Sequence, residues 1–202
     1  MNFKDITTEA TATYTLKKNE RCVFFMFNKN AELKFELSGE NGEAYIFGLY
    51  LDHSTPREIQ ITQQHSARNT TSQTLIRSVL GGDAALNYRG LIHIAPSGNH
   101  SAAIQESRAL LLSDQARHSA IPSLEILPRD VICHHKASAS PLNQESLYYL
   151  QSRGLSRDES SRMLINGFLE TTFEQMLDLG VAEAELQKIR QSVFNTLLTL
   201  YA

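Results

Sequence analysis

Cys133, His134 and His135 are three consecutive residues whose side chains can all bind a metal ion. Thiolate and imidazole groups are common protein ligands of zinc and iron. The apolar residues around them predict a strand over residues 131–135, in which alternation sends Cys133 and His135 to one face and His134 to the other. One strand would then supply two ligands, which is half of a four-ligand site. The alternative is structural, with Cys133 a small buried hydrophobic side chain and His135 a polar residue at a strand end.

Glu125 is a further candidate ligand, because it lies between Leu124 and Ile126 in a predicted strand and faces away from both. Its carboxylate would be a hard oxygen ligand for Fe(II), or else a solvent-facing charge without that role. Cys22 lies in an apolar run and is predicted to belong to the core. Four other histidines are scattered and are predicted to be surface or capping residues, namely His65, His93, His100 and His118.

The composition is that of an ordinary globular protein. The 202 residues carry a formal net charge of −3, with 42% hydrophobic and 20% charged residues, which suits one domain or one domain with a short appendage. This charge gives no reason to expect nucleic acid or an anionic membrane as a partner. No apolar run approaches the roughly 18–20 residues that span a bilayer. The N-terminus lacks the apolar segment of a signal peptide, so we expect a cytoplasmic protein.

The sequence lacks the common motifs of nucleotide-binding and hydrolytic enzymes. It contains no G-x-x-x-x-G-K-[ST] phosphate loop, no G-x-S-x-G and no H-E-x-x-H. Its two cysteines, Cys22 and Cys133, are too few for a disulfide framework or for a metal site built from cysteine alone. Any ATP would therefore be bound by another subunit, and any metal site would need mixed ligands or a second chain.

Short apolar or alternating runs follow one another up to about residue 140 and predict a β-rich region. Residues 31–37 alternate cleanly, with Leu33, Phe35 and Leu37 on one face. Further strands are predicted over residues 22–27, 44–51, 58–62, 74–80, 85–95, 103–112, 124–127 and 131–135, after a loosely structured lead-in at residues 1–10. The spacing suits a sandwich, a barrel or a β-solenoid, and the periodicity does not choose among them.

The periodicity becomes helical after residue 140. Helix-end signals mark two helices, with Asn143 as an N-cap, Gly154 as a stop, and Ser156 with Glu159 as a capping box. A third short helix is predicted to end at Gly180, and an amphipathic helix over residues 182–201. The chain is thus divided into a β-region, residues 1–140, and a C-terminal helical domain, residues 141–202.

The residues around Cys133 form a long ordered pattern, P-x-L-E-I, D-V, C-x-H, A and then Y-L-x-S-R-G. This pattern resembles the core signature of the SufB/SufD family, the scaffold subunits of the SUF iron–sulfur cluster assembly complex, and is closer to SufD. The matching residues are Pro122, Leu124, Glu125, Ile126, Asp130, Val131, Cys133, His135, Ala137, Tyr149, Leu150, Ser152, Arg153 and Gly154. Upstream, the resemblance extends to His65 with residues 69–72, to residues 88–90 and to residues 110–113.

The resemblance implies a right-handed parallel β-helix followed by C-terminal helices, in a shortened member of the family. It also implies a non-catalytic scaffold that dimerises through the β-helix, with either a SufB-like chain or a second copy of itself as a homodimer. The C-terminal helices would bind a SufC-type ABC ATPase. Contact with that ATPase is expected at Tyr148, Tyr149, Arg153, Gly154 and Leu155.

The resemblance makes His135 the first candidate functional residue, followed by Cys133 and then Glu125. In the family the matching histidine lies between two scaffold chains, where an iron–sulfur cluster or iron is held transiently. Lys136 replaces the usual glycine, and its charge would lower the pKa of a neighbouring thiol or its length would crowd the interface.

Two other interpretations remain open. In the first interpretation, the chain is a family offshoot that retains only the fold, as a structural or interaction protein. In the second interpretation, the chain is a solenoid carbohydrate-active enzyme. This interpretation is less favoured, because the predicted strands carry isolated acids such as Glu58 and Glu106 instead of acidic pairs.

Overall fold

In a computed structural model of the chain, which describes residues 2–200, eleven strands precede three helices. The strands are β1 (Asn2–Asp5), β2 (Thr11–Leu16), β3 (Arg21–Phe27), β4 (Ala31–Leu37), β5 (Glu43–Asp52), β6 (Pro56–His65), β7 (Thr71–Leu80), β8 (Ala85–Ile94), β9 (Ala102–Leu111), β10 (Arg117–Ile126) and β11 (Ile132–Ser140). The helices are α1 (Gln144–Ser152), α2 (Arg157–Asp178) and α3 (Glu183–Leu200).

Successive strands alternate between two sheets, and each strand from β1 to β9 pairs in parallel with the strand two positions further along the chain. The six-stranded sheet has the order β1-β3-β5-β7-β9-β11, and the five-stranded sheet has the order β2-β4-β6-β8-β10. A chain that winds repeatedly around one axis gives this pattern, whereas hairpins pair consecutive strands antiparallel. The fold is therefore a parallel β-helix followed by helices, as the family resemblance implied.

The space between the two sheets, called the lumen below, is filled by alternate side chains of every strand. Phe24, Phe35 and Tyr50 are each at most 1% exposed there. Inward residues also stack from one turn to the next, because the register aligns Leu33 with Ile61 in the neighbouring strand. Each such burial of a large apolar side chain contributes roughly 1.5–3 kcal/mol, which makes the lumen the main core.

One corner of the β-helix is built from residues in the left-handed backbone conformation. Asn19, Asn41, Asn69 and His100 have φ values of 56°, 59°, 57° and 61°. Each lies between a strand of the five-stranded sheet and the next strand of the six-stranded sheet. Their backbone N–H groups donate to carbonyl groups one turn further along, as from Asn69 to Asn99 at 3.0 Å. Asparagine tolerates this conformation better than most residues, which explains its repeated use here.

A second core lies between the outer face of the six-stranded sheet and the helices. Phe25, Phe47 and Leu75 of the sheet belong to one apolar cluster with Phe173 and Met176 of α2. Residues from α3 complete this cluster, including Leu186, Val193 and Leu197. The helices therefore cover one sheet along its side and leave the last turn of the β-helix free.

Arg77 links the six-stranded sheet to α2. Its side chain is 4% exposed, and its guanidinium lies 2.8 Å from the Glu106 carboxylate and 5.6 Å from the centre of the Phe168 ring. Burial lowers the pKa of Arg77. The ion pair and the ring together offset much of the cost of burying this charge.

The predicted helix-end signals of α1 and α2 are confirmed. The Asn143 side chain accepts a hydrogen bond from the Ser146 N–H at 2.8 Å, and Ser156 with Glu159 forms a capping box. Gly154 has a φ of 94°, which a residue with a side chain rarely adopts. None of the helices in residues 2–200 is both long and apolar enough to cross a membrane.

Two predicted elements were wrong. Residues 1–10 were predicted to be a loose lead-in, but within residues 2–10 β1 pairs in parallel with β3 and Ile6 is only 1% exposed. The third short helix does not exist as a separate element, because Ile165, Leu169 and Phe173 continue one buried stripe and α2 runs unbroken to Asp178. The final helix agrees with its prediction up to Leu200, and Tyr201 and Ala202 lie outside the described residues.

Candidate functional site

The last turn of the β-helix, formed by β10 and β11 and called the open end below, has two sheet edges side by side. Within residues 2–200, β10 pairs only with β8 and β11 pairs only with β9. The outer backbone N–H and C=O groups of these two strands therefore lack a sheet partner in this chain. Such edges are templates for pairing with another chain.

Cys133 and His135 both face the lumen at the open end. Their register partners on β9 are Ala103 and Gln105, which are 0% and 1% exposed and belong to the inward face. His134 aligns with Ile104 and faces outward. Two potential metal ligands of different chemistry therefore lie on one face, two residues apart, at the edge of the fold.

The thiol of Cys133 lies in apolar surroundings. It packs against Ile92, Ile94 and Ala103, and burial raises its pKa. Lys136 belongs to the opposite face of β11, since its register partner is the outward-facing Glu106. The expectation that Lys136 lowers the pKa of the neighbouring thiol is therefore wrong. A raised pKa favours the protonated thiol, which must lose its proton before it can bind a metal.

Glu125 is not brought together with Cys133 and His135. It lies on the other sheet and on its outer face, beside its register partner His93, while Leu124 and Ile126 face inward. Within the part of the chain that the structure describes, no three histidine, cysteine or acidic residues are grouped so as to hold a metal ion. The open end of one chain thus offers two ligands where a tetrahedral site needs four.

Several apolar side chains of the last turn are unusually exposed. Leu124 and Ile126 align with the fully buried Ile92 and Ile94 of β8, yet they are 40% and 36% exposed because no further turn covers them. Other exposed apolar side chains of this turn and its corner are Ile121, Leu127 and Ile132. Exposed apolar side chains beside two unpaired strand edges are typical of an interaction surface.

His118 also belongs to the open end, although the sequence pattern had indicated only a surface or capping residue. It lies on the inward face of β10, and its Nε2 is 2.9 Å from the Ser107 hydroxyl. Burial lowers the pKa of His118. The strand was predicted to start at residue 124, but β10 starts at Arg117. The available signal was weak, because Ser119 and Ser123 fit an alternating pattern with Ala120, Pro122 and Leu124, but the apolar Ile121 interrupts it.

His65 was predicted to be a surface or capping histidine, and this prediction is wrong. It is 0% exposed, and its ring nitrogens lie 2.7 Å from the hydroxyls of Thr70 and Ser72. The His65 and 69–72 pattern thus forms a buried hydrogen-bond network that fixes a corner of the β-helix. Burial lowers the pKa of His65 to about 4, so the ring is neutral near pH 7.

The predicted ATPase contacts lie on the surface of α1 and the corner after it. Tyr148 and Tyr149 are 75% and 57% exposed, and the Arg153 guanidinium lies 5.2 Å from the centre of the Tyr149 ring. Gly154 is exposed and Leu155 is half-buried. Next to them is a shallow, mostly apolar depression of about 450 Å³, lined by Glu145, Ser146, Tyr149, Leu150, Met163 and Leu164.

These features define a β-solenoid protein whose last turn presents a thiol, an imidazole and two unpaired strand edges. A family model described as the SUF system FeS cluster assembly SufBD core domain matches residues 21–168, which is most of the chain. The chain belongs to the SufBD family.

Individual relatives carry names of the same family. The chain is 33% identical over 141 residues to an iron–sulfur cluster assembly SufBD family protein of Mycobacterium bovis, a match that covers 69% of this chain and 17% of that protein. It is 23% identical over 141 residues to a SufBD family protein of Galdieria sulphuraria, covering 69% of this chain and 64% of that one. It is 31% identical over 106 residues to the iron–sulfur cluster assembly protein SufB of Bacillus subtilis, covering 52% of this chain and 23% of SufB. The chain thus spans less than two thirds of the length of these relatives.

Proposed function

We propose that this chain is a SufD-like, non-catalytic scaffold subunit of an iron–sulfur cluster assembly complex. The observation that carries the proposal is the open end, where Cys133 and His135 lie beside unpaired strand edges and exposed apolar side chains. A surface of this kind is completed by a second chain, either a SufB-like chain or a second copy. The ligands of both chains would then meet in one place.

The number of ligands also favours assembly between chains. Cys133 and His135 supply a soft and a borderline donor, which suits iron or a nascent iron–sulfur cluster as transient cargo. A symmetric pair of chains would bring two thiols and two imidazoles together. The outward position of Glu125 makes it a ligand only if the partner reaches around the edge of β10, so we propose it as the weakest of the three.

The C-terminal helices supply the second proposed surface. Tyr148, Tyr149 and Arg153 are exposed, and tyrosine and arginine are enriched at the energetic centres of interfaces. Gly154 and Leu155 continue the same corner. We propose that this corner and the adjoining depression bind a SufC-type ABC ATPase, so that ATP hydrolysis is carried out by the partner. A ligand thiol must stay reduced, which fits a cytoplasmic location.

The test is co-elution of the purified chain with the SufC-type ATPase from the same source. The wild-type chain is expected to form a stable complex by size exclusion with mass analysis, and Tyr149→Ala with Arg153→Ala is expected to lose it. Leu198→Ala is the matched control, because Leu198 is 62% exposed on α3 and lies outside the proposed surface. Equal losses in the double variant and the control would contradict the assignment of this surface.

A well-folded chain that binds neither the ATPase nor a SufB-like chain would overturn the scaffold role. It would leave a family offshoot that keeps the β-helix as a structural or interaction protein. The raised pKa of the Cys133 thiol is the observation that favours this second candidate, because it makes the thiol a poorer ligand in the free chain.

A further inference from the structure

Gln105 is a buried amide with no hydrogen-bond partner. Its side chain is 1% exposed, and both Nε2 and Oε1 lack a partner within the described residues. Buried polar groups are nearly always paired, and one left unpaired costs about 1–3 kcal/mol. An apolar residue would fill this place at lower cost, so stability does not explain the amide.

The position of Gln105 relates it to the proposed ligand site. It lies on β9 directly beneath His135 of β11 in the parallel register, and both face the lumen. Equivalent residues on neighbouring strands are about 4.8 Å apart, which is within reach of a side-chain hydrogen bond. Gln105 is therefore the polar residue in register with His135 on the inward face of this sheet.

Tyr88 supports the same site from the opposite sheet. Its hydroxyl is also buried without a partner. A side chain at Gly90 would clash with both the Tyr88 hydroxyl and the side-chain amide oxygen Oε1 of Gln105. These two polar atoms therefore face one small space that only glycine leaves free. Burial raises the pKa of Tyr88, so the hydroxyl keeps its proton and can donate.

We propose that Gln105 is a positioning residue for His135, accepting a hydrogen bond on Oε1 from the ring N–H when the other ring nitrogen binds a metal. In that state the Tyr88 hydroxyl, which faces the same small space, would donate to the same oxygen and hold the amide in place. Ligand histidines generally have such a partner, which fixes the tautomer and the ring orientation. This inference rests on the proposed role of His135 as a ligand and adds the group that aims it.

The test uses Zn²⁺ alone as the probe, added to the full chain in its associated state. Gln105→Leu is expected to weaken Zn²⁺ binding, measured by competition with a coloured chelator, about 10- to 100-fold. It is expected to leave the urea midpoint unchanged or raised, because it removes two unpaired polar atoms from the lumen. Gln105→Glu retains the acceptor oxygen and is expected to restore binding.

Thr74→Val is the matched control. Thr74 is the register partner of Gln105 one turn deeper, is 0% exposed and has an unpaired hydroxyl, and valine has the same shape. It is expected to keep the wild-type Zn²⁺ affinity. NMR of the Zn²⁺-bound protein supplies a readout that a structural role would not move. The ring N–H of His135 is expected to be protected from exchange in wild type and Thr74→Val, and unprotected in Gln105→Leu.

The outcomes separate the two proposals. If His135→Ala does not weaken Zn²⁺ binding, the ligand role of His135 is overturned. If His135→Ala abolishes binding but Gln105→Leu matches Thr74→Val in both affinity and N–H protection, the positioning role of Gln105 is overturned and the ligand role stands. If Gln105→Leu loses both Zn²⁺ affinity and protection of the His135 ring N–H, and Thr74→Val loses neither, both proposals are supported.

Discussion

His65 is the centre of the polar network inside the β-helix. Its two ring nitrogens contact Thr70 and Ser72, and Thr70 continues to Ser101 one turn further at 2.7 Å. Gln63 donates to the Ser72 hydroxyl at 2.6 Å. Both ring nitrogens are thus occupied by hydroxyl groups without a neighbouring carboxylate, an environment that suits the neutral ring.

The neutral state of His65 makes stability depend on pH. Burial lowers its pKa from 6.5 to about 4, so the unfolded chain binds a proton more readily than the folded one between these values. Stability is expected to be full above pH 6.5 and to fall as the pH falls towards 4, by at most about 3 kcal/mol from this residue. Urea unfolding at pH values above and below this window measures the change.

The variant His65→Gln isolates this contribution. It is expected to be less stable than wild type at neutral pH and to lose less stability on acidification, because the amide does not titrate. His134→Gln is the control, since His134 is exposed on the outer face and has water around it in both states. An identical loss on acidification in wild type and His65→Gln would refute the assignment.

The reactivity of Cys133 follows from its apolar contacts and from the opposite orientation of Lys136. We expect iodoacetamide to label Cys133 more slowly than a free cysteine at neutral pH, because burial raises the thiol pKa and lowers the thiolate fraction. Lys136→Ala is expected to leave the rate unchanged. Cys22 is 1% exposed with a pKa raised to about 11, so labelling of the folded protein reports Cys133 alone. A clear slowing in Lys136→Ala would show that the lysine does act on the thiol.

The corners of the β-helix show how elements are fixed by backbone conformation. Asn69 lies in the left-handed region between β6 and β7, where a residue with an ordinary side chain is strained by about 1–2 kcal/mol. Asn69→Ala is expected to lower the free energy of unfolding by about this amount, and Asn69→Gly to change it by less. Asn99→Ala, in the next turn and without a positive φ, is the control. Equal effects of alanine and glycine at position 69 would mean that lost side-chain contacts dominate.

Many of the strands could be predicted from the sequence, because alternation of apolar and polar residues is a local signal. The strand over residues 31–37 has the predicted bounds. The first half of β10 was missed because its inward residues His118, Ala120 and Pro122 are only weakly apolar, while Ile121 on the outer face is strongly apolar. The parallel winding depends on pairing between residues about thirty positions apart, which no local pattern encodes, and it came from the family resemblance.

The candidate site divides in the same way. Alternation placed Cys133 and His135 on one face, as the register has them. The alternation does not say whether that face is the lumen. It also does not say that Glu125 lies on the outside of the other sheet. Both depend on where the chain turns between β10 and β11. The burial of His65 follows from the stacking of turns, so that prediction failed. The orientation of Lys136 follows from alternation, which places it on the face opposite Cys133, so this error could have been avoided from the sequence.

The open end is a surface of the molecule that neither core covers. The helices close the outer face of the six-stranded sheet, while Leu124 and Ile126 face the lumen at the open end and stay exposed. Leu124 is 40% exposed, so burying the rest of it on association would contribute a fraction of the roughly 1.5–3 kcal/mol that full burial of a leucine supplies. A charge in its place would have to be desolvated, which opposes association strongly.

Association through the open end is therefore expected to depend on Leu124. Sedimentation of the wild-type chain, alone or with a SufB-like chain, is expected to show a complex, and Leu124→Asp is expected to weaken its Kd at least about tenfold. Leu177→Asp is the matched control, because Leu177 is 46% exposed on α2 against 40% for Leu124, and lies away from the open end. Both variants should unfold at similar urea concentrations, since both leucines are already partly in water. If Leu177→Asp weakens the complex and Leu124→Asp does not, the chains associate through the helical face, and Cys133 and His135 of two chains do not meet.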